Sequence, residues 1–287
     1  MPAAAGEEAS PLAIIAGGGA IPIAVADAVA RSGRRVVMFP VRGWADPAAV
    51  ERYPHHWIAL LQAGRFQKLA RTEGCRDIVF FGTAVRPALK SLRFDWLTLR
   101  LLPRVLRAYR GGDDHLLSSV ARGLEDYGFR IVGAHEVAPE IMMPEGPIGS
   151  RLPLRRDEAD IARALALLEA TGPFDMGQAA VVADNHVLAV EATEGTDAMV
   201  RRIAELRARG RIAAPAGTGV LVKAPKPQQD RRFDLPAIGP RTVVEAARAG
   251  LAGIAVVAGG SIVAEPAAVA AAADEAGIFV IGIKAGQ

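Results

Sequence analysis

Short apolar runs and amphipathic stretches alternate along the chain, and glycine marks most of the changes. Pro11–Ala16 is apolar and ends in Gly17-Gly18-Gly19; a helical period follows from Ile21 to Ser32, and Gly33 stops it. Arg35–Val41 (RVVMFPV) is apolar again. A strand, a glycine loop, a helix and a second strand open a parallel α/β sheet. Phe66–Glu73 predicts a helix ended by Gly74, and DIVFFG, Asp77–Gly82, a third strand. Gly111–Gly128 predicts a capped amphipathic helix, and FRIVGA a further strand.

From Ala138 to Pro153 the text loses its period and is rich in proline, so a domain boundary is expected close by. The pattern then resumes with a helix, Asp157–Thr171. QAAVVADNHVLAVEA reads as a strand hairpin whose Asp184-Asn185 turn suits positive φ. A helix at Thr196–Gly210, a strand GVLVKA, a helix at Thr242–Ala249, strands GIAVVAG and SIVAE, a helix at Pro266–Ala276 and a last strand GIFVIGI complete the chain. The expected division is 1–134, a parallel-sheet domain, and 135–287, a second α/β domain.

Composition narrows the function classes. With 51% hydrophobic and 23% charged residues in 287, the chain is globular. A net charge of +3 does not argue for nucleic acid as a partner. Cys75 is the sole cysteine, so no intrachain disulfide forms, in keeping with a reducing compartment. The acidic start MPAAAGEEAS lacks the features of a signal peptide, and no apolar run reaches the ~18 residues of a membrane span. A cytoplasmic location is the expectation.

Several stretches carry candidate chemistry, each with a plainer alternative. AGGGAIP, Ala16–Pro22, ends a strand at a helix N-terminus, where backbone N–H groups suit phosphate; any tight strand-to-helix turn needs the same glycines. The third glycine of a dinucleotide fingerprint is missing, and RVVMFPVRG ends in Arg42 without a carboxylate, so a nicotinamide dehydrogenase is disfavoured. FFGTAVRP offers Arg86 at the same sheet edge, as ligand contact or as surface turn. Asp113, Asp114, His135 and Glu136 can form an oxygen-and-imidazole metal site, or one aspartate can simply cap a helix. In EGTDAM, Thr196 reads as a helix cap and Asp197 as a dipole partner, although Glu191 and Glu194 nearby leave room for a cation. Ser91–Arg110 is a basic amphipathic segment around Trp96 that suits either an anionic membrane surface or an ordinary half-buried helix.

The strongest stretch is VLVKAPKPQQDRRFDLPAIGP, Val220–Pro240, where Lys223, Lys226, Arg231 and Arg232 crowd into a loop stiffened by proline. Lysine supplies point charge for phosphate and arginine grips it bidentately. Asp234, between Phe233 and Leu235, can hold Mg²⁺ or orient a water, or pair with Arg232 at the surface. No Ser–His–Asp set or activated cysteine stands out, so direct attack by water is favoured over a covalent intermediate.

In order and spacing, AGGGAIP, the RP of FFGTAVRP, GDD, GAHE, the GQ of DMGQAAVV, VEATEGTDAM, KAPKPQQDRRFDLPAIG and the terminal AGLAGIAV…GIFVIGI resemble the LpxI family almost end to end. The resemblance implies hydrolysis of the pyrophosphate of UDP-2,3-diacylglucosamine to UMP and lipid X in Gram-negative lipid A biosynthesis, assisted by Mg²⁺ or Mn²⁺. It implies a Rossmann-like N-terminal domain and a C-terminal α/β domain with the lipid between them. Asp234, on the DLP motif, is the expected catalytic residue and metal ligand, with Asp197 as a second ligand. Gly17, Gly18 and Gly19 fall toward the UDP part, and Lys223, Lys226 and Thr196 toward the sugar phosphate. Arg86, Gln178, Gln229 and Arg232 complete the expected substrate contacts. The alternative is a nucleotide-sugar or lipid-binding module without turnover. Peripheral contact with the inner membrane and a homodimer are both compatible with this reading.

Overall fold

The computed structural model describes residues 9–59, 62–82, 98, 120–174, 176–227, 230–233 and 235–284, in two units, Met1–Pro139 and Glu140–Gln287. In the first unit β1 (Leu12–Ala16), β2 (Val36–Pro40), β3 (Asp77–Phe81) and β4 (Arg130–Ile131) form a parallel sheet in the order β2-β1-β3-β4. β1 is paired on both sides, Leu12 with Val36 and Asp77, Ala16 with Pro40 and Phe81. Such a strand has no solvent face, which is why LAIIA is continuously apolar rather than alternating. Its order is that of a doubly wound sheet, whose crevice opens at the carboxyl ends of β1 and β3.

Helices of this unit include α1 (Ile21–Arg31), α2 (Pro47–Val50), α3 (Ala63–Thr72) and α4 (Ala134–Val137). α1 starts with Pro22 in its first turn and turns Val25, Ala26, Ala28 and Val29 inward. Of the predicted helix at 111–128, residues 120–125 are helical and 111–119 lie outside the described residues. α4, just before the stretch read as irregular, is closed by the Gly133 N–H donating to Glu136 Oε1 at 2.9 Å. The sequence set the division at 134/135; the compact units divide between Pro139 and Glu140.

The second unit holds a six-stranded sheet and a small parallel pair. In chain order its strands are β5 (Gly146–Ile148), β6 (Ala179–Ala183), β7 (His186–Val190), β8 (Val220–Lys223), β9 (Ala237–Ile238), β10 (Gly253–Val257), β11 (Ile262–Val263) and β12 (Phe279–Ile283). The large sheet runs β5-β12-β10-β8-β6-β7, and β11 pairs with β9. β12, β10 and β8 are parallel; β6, β7 and β5 join antiparallel. β5 falls in the proline-rich stretch read as irregular. Pro147 is tolerated there because an edge strand can spare a ladder N–H.

Alternate residues of the sheet face opposite cores. Val181, Leu221, Ile254 and Val280 meet α6 (Thr196–Ala208), α7 (Pro240–Arg248) and α8 (Pro266–Ala276) through Met199, Ile203, Val243 and Val269. Ala180, Val182, Val220, Val222 and Phe279 meet α5 (Arg155–Thr171) through Ile161, Ala164 and Leu168. The expected hairpin joins β6 to β7, with φ of 47° at Asp184 and 63° at Asn185. Its turn has an anchor that local pattern does not reveal: buried Asp160 of α5 accepts the N–H of Asp184 at 3.1 Å and of Asn185 at 2.6 Å.

At the amino edge of the first sheet, Asp77 accepts Arg130 Nε at 2.8 Å and Arg34 Nη2 at 2.6 Å. Arg130, and after it Arg34, hold this carboxyl below the usual range against the upward push of burial. His56 and then Arg35 lower Glu73 in the same way. A depressed folded pKa gives stability that is present above the unfolded value, about 4, and is lost as pH falls through the folded value. Asp77→Asn should therefore cost on the order of 2 kcal/mol at pH 7 and weaken the acid dependence of the first unit. Trp44, Trp57 and Trp96 all lie in that unit, so urea unfolding followed by tryptophan fluorescence from pH 7 to 3 reads both effects.

Candidate active site

The basic loop grows from the centre of the second sheet. VLVK forms β8, buried along its length, and Lys223 ends it only 5% exposed. Its ammonium donates to the Ala237 carbonyl of β9 at 3.0 Å, which ties the start of the loop to its far end. Ala224 N–H donates to the Gln178 carbonyl at 3.1 Å, so the loop leaves the sheet beside β6. The prolines stiffen it by contact as well as by ring closure. A Cβ on Gly172 would lie 2.7 Å from Pro227 Cδ, and one on Gly260 would lie 3.3 Å from Pro225 Cγ. Both prolines rest on backbone where no side chain intervenes.

Further along, Arg232 lies along Asp230: Nε to Oδ1 is 3.0 Å and Nη2 to Oδ2 is 2.7 Å, and the guanidinium sits 5.2 Å over the Phe233 ring. Asp230, given no role by the sequence pattern, is thus a carboxylate partner of this arginine. Arg231 donates to the Gly259 carbonyl. Phe233 and Leu235 are buried, and Ile262 N–H donates to the Pro236 carbonyl at 2.8 Å, which seats Pro236 on β11. Asp234, Gln229 and Arg86 lie outside the described residues, as do Asp113, Asp114 and all of residues 91–110 except Thr98.

Beside this loop, Gln178, Glu191 and Thr196 come together. Glu191, 7% exposed, accepts the Gln178 N–H on Oε2 at 2.9 Å and the Thr196 hydroxyl on Oε1 at 2.8 Å. The expected cap role of Thr196 is therefore corrected. Gly195, with φ of 78°, is the cap residue of α6, and Thr196 is its first helical residue with its hydroxyl turned to Glu191. A buried carboxylate five residues upstream outcompetes the helix's own amides for that hydroxyl. Gln178 Oε1 is buried without a hydrogen-bond partner.

In the first unit, Gly17 N–H donates to the Phe81 carbonyl at 2.8 Å, which sets the glycine loop at the β1/β3 crevice. Gly82, with φ of 99°, allows the approach: a Cβ there would lie 2.7 Å from both Gly17 C and Gly18 O. Gly17, Gly19 and Asp46 border a recess with room for about one water, near 10 Å³.

For a divalent cation the donors are few. Asp197 pairs with Arg241, and Glu194 with Arg202 at 3.3 Å. Glu136 is engaged in its helix cap, and no three acidic, histidine or cysteine side chains gather among the described residues; the expected site of His135 and Glu136 with Asp113 and Asp114 extends outside them. Mg²⁺ and Mn²⁺ favour oxygen, and Mg²⁺ is usually held by one or two carboxylates plus phosphate oxygens and water. That mode asks for fewer protein ligands than a closed protein cage, and no such cage is present among the described residues.

A glycine turn at a parallel crevice in one unit, and a basic loop on the carboxyl edge of a sheet in the other, define a two-unit α/β protein built to bind anions. The chain belongs to the LpxI family. The model of the LpxI N-terminal domain matches residues 11–141, and that of the LpxI C-terminal domain residues 144–281. The UDP-2,3-diacylglucosamine pyrophosphatase LpxI of Caulobacter vibrioides is 45% identical over 272 residues, covering 95% of this chain and 97% of that protein. Among solved structures, UDP-glucose 4-epimerase of Thermus thermophilus in complex with NAD aligns over 96% of this chain and 86% of its own. That likeness, at 13% identity and a TM-score of 0.29, carries no argument.

Gly177 is the position where packing at Glu191 is most exacting, since an added Cβ would lie 2.5 Å from Glu191 Cγ and 2.6 Å from its carbonyl oxygen. Gly177→Ala should destabilise the second unit by about 1–3 kcal/mol, read as a lowered urea midpoint by circular dichroism. An unchanged midpoint would show that β7 yields at no cost.

Proposed function

We propose that this chain hydrolyses the pyrophosphate bond of UDP-2,3-diacylglucosamine, releasing UMP and 2,3-diacylglucosamine 1-phosphate. The observation that carries the reading is 45% identity with a pyrophosphatase of that substrate over 95% of the chain. The basic loop supports it: Lys223 held at the end of β8 and Lys226 put positive charge on a stiff segment, with Arg232 carried on Asp230. Phe174, 77% exposed, ends the short helical turn whose Gly172 lies against Pro227, and an exposed aromatic suits a substrate with acyl chains.

In this mechanism a water oxygen attacks one phosphorus and gives up a proton to solvent, the bridging P–O bond breaks, and the departing phosphate keeps the bond pair. The lysines and arginines offset charge on the phosphate oxygens, which is the main task in phosphoryl transfer. Asp234 orients the water and, with Asp197 released from Arg241, is assigned to hold the cation. A bound Mg²⁺ or Mn²⁺ would add Lewis-acid stabilisation of the phosphate oxygens. Gly17, Gly18, Gly19 and Arg86 are assigned to the UDP part, and Gln178 and Gln229 to further substrate contacts. No helix among the described residues is long and apolar enough to cross a membrane. A cytoplasmic site of action, peripheral contact with the inner membrane through residues 91–110, and a homodimer belong to the same proposal.

Incubation of the purified chain with UDP-2,3-diacylglucosamine should release UMP with Mg²⁺ or Mn²⁺ present and lose that activity in excess EDTA. Asp234→Ala should lower turnover at least about a thousandfold, a loss typical of a residue central to the reaction, while substrate still binds. Binding without turnover by the wild-type chain would instead favour a non-catalytic lipid-binding module.

A further inference from the structure

Glu191 closes β7 as a buried acid in a region otherwise arranged for anions. Its backbone is fixed on both sides, its N–H on the Ala179 carbonyl at 2.8 Å and its own carbonyl accepting Gly177 N–H at 3.1 Å. Its side chain is fixed as well. Oε2 takes the Gln178 N–H, a group that can only donate, and Oε1 takes the hydroxyl of Thr196. The absent side chain of Gly177 leaves the space that the Glu191 stem occupies. A carboxylate in this position has no rotamer freedom to turn toward solvent.

The consequence falls on Thr196. A threonine hydroxyl has one hydrogen and two lone pairs, and an ionised carboxylate accepts but cannot donate. With its hydrogen committed to Glu191, Thr196 Oγ1 meets any ligand as an acceptor. An ionised phosphate oxygen is also an acceptor, so the two would repel rather than bond. We infer that Glu191 is a positioning residue that fixes the polarity of the Thr196 hydroxyl, so that Thr196 reads a hydrogen-bond donor of the hexosamine, a hydroxyl or the amide N–H, and not the phosphate. This rests on the proposed substrate and changes the place expected for Thr196 within it. Lysine and arginine of the neighbouring loop recognise the phosphates, while the Glu191–Thr196 pair discriminates the sugar.

The test compares the wild-type chain with Thr196→Val, Thr196→Ser, Glu191→Gln and the Glu191→Gln/Thr196→Val double variant. Each is assayed for UMP release from UDP-2,3-diacylglucosamine and for inhibition by UDP, which lacks the hexosamine. Thr196→Val keeps the shape and Glu191 but removes the oxygen. It should raise KM about tenfold, the worth of one neutral hydrogen bond, with kcat nearly unchanged and UDP inhibition unaltered. Thr196→Ser should restore KM. Glu191→Gln should raise KM similarly, because its amide can donate to Thr196 and reverse the polarity. The double variant should be no worse than the worse single one, since both changes remove the same hydrogen bond. Equal weakening of UDP inhibition, failure of serine to restore KM, or additive losses in the double variant would each overturn the inference. Lack of UMP release by the wild-type chain would instead refute the proposed activity.

Discussion

The buried ammonium of Lys223 is the constraint from which the second unit's chemistry follows. A lysine at the end of a fully buried strand must find hydrogen-bond acceptors, because an unpaired charge there would cost several kcal/mol. It meets one in the Ala237 carbonyl, fourteen residues on, at 3.0 Å. That bond joins the beginning of the loop to β9, whose pairing with β11 is itself set by the Pro236–Ile262 bond. The segment between is closed at both ends before any ligand arrives. Its length is tolerable because most of the closure entropy is offset by folding of the sheet rather than by binding.

Glycine and proline supply the rest of this rigidity as matched pairs. Pro225 against Gly260 and Pro227 against Gly172 each place a ring where any side chain would intrude. Gly82 plays the corresponding part in the first unit, letting one loop lie against the backbone of the glycine turn. Preorganised groups act on developing charge without reorganising during the reaction, so stiffness of this kind serves chemistry as well as stability.

Local pattern revealed whatever local physics controls. The strands LAIIA and VVMFP, the Asp184-Asn185 hairpin and the glycine turn follow from burial on two faces, from positive φ and from short apolar runs. It failed where a partner lies far along the chain. Asp160 anchors a turn 24 residues away, and β5 takes its strand form from an edge pairing with β12. Thr196 has the composition of a cap, yet Glu191 claims its hydroxyl. Nothing within one helical turn of Thr196 announces that competition, because it depends on where β7 ends. Asp230 escaped for a different reason: the acid in DLP carries the family motif, whereas the nearer acid in QDRR shows its role only in its bond to Arg232. The part played by Asp234 rests on the family motif and on chemistry, not on its surroundings.

The basic loop is therefore less electropositive than its sequence suggests. Arg232 lies on Asp230, Arg241 on Asp197 and Arg202 on Glu194, so several arginines around the loop and the start of α6 already carry carboxylate partners. On the proposed function, a pyrophosphate would exchange with these partners instead of meeting bare charge. Such exchange lowers affinity for any single phosphate, because every new ion pair replaces one already present. Two linked phosphates can displace more than one partner at once, which favours a diphosphate over the common monoanions of the cell. On the proposed function, charge would select for the anhydride and hydrogen-bond polarity at Thr196 for the sugar, two discriminations made by different groups of the same unit.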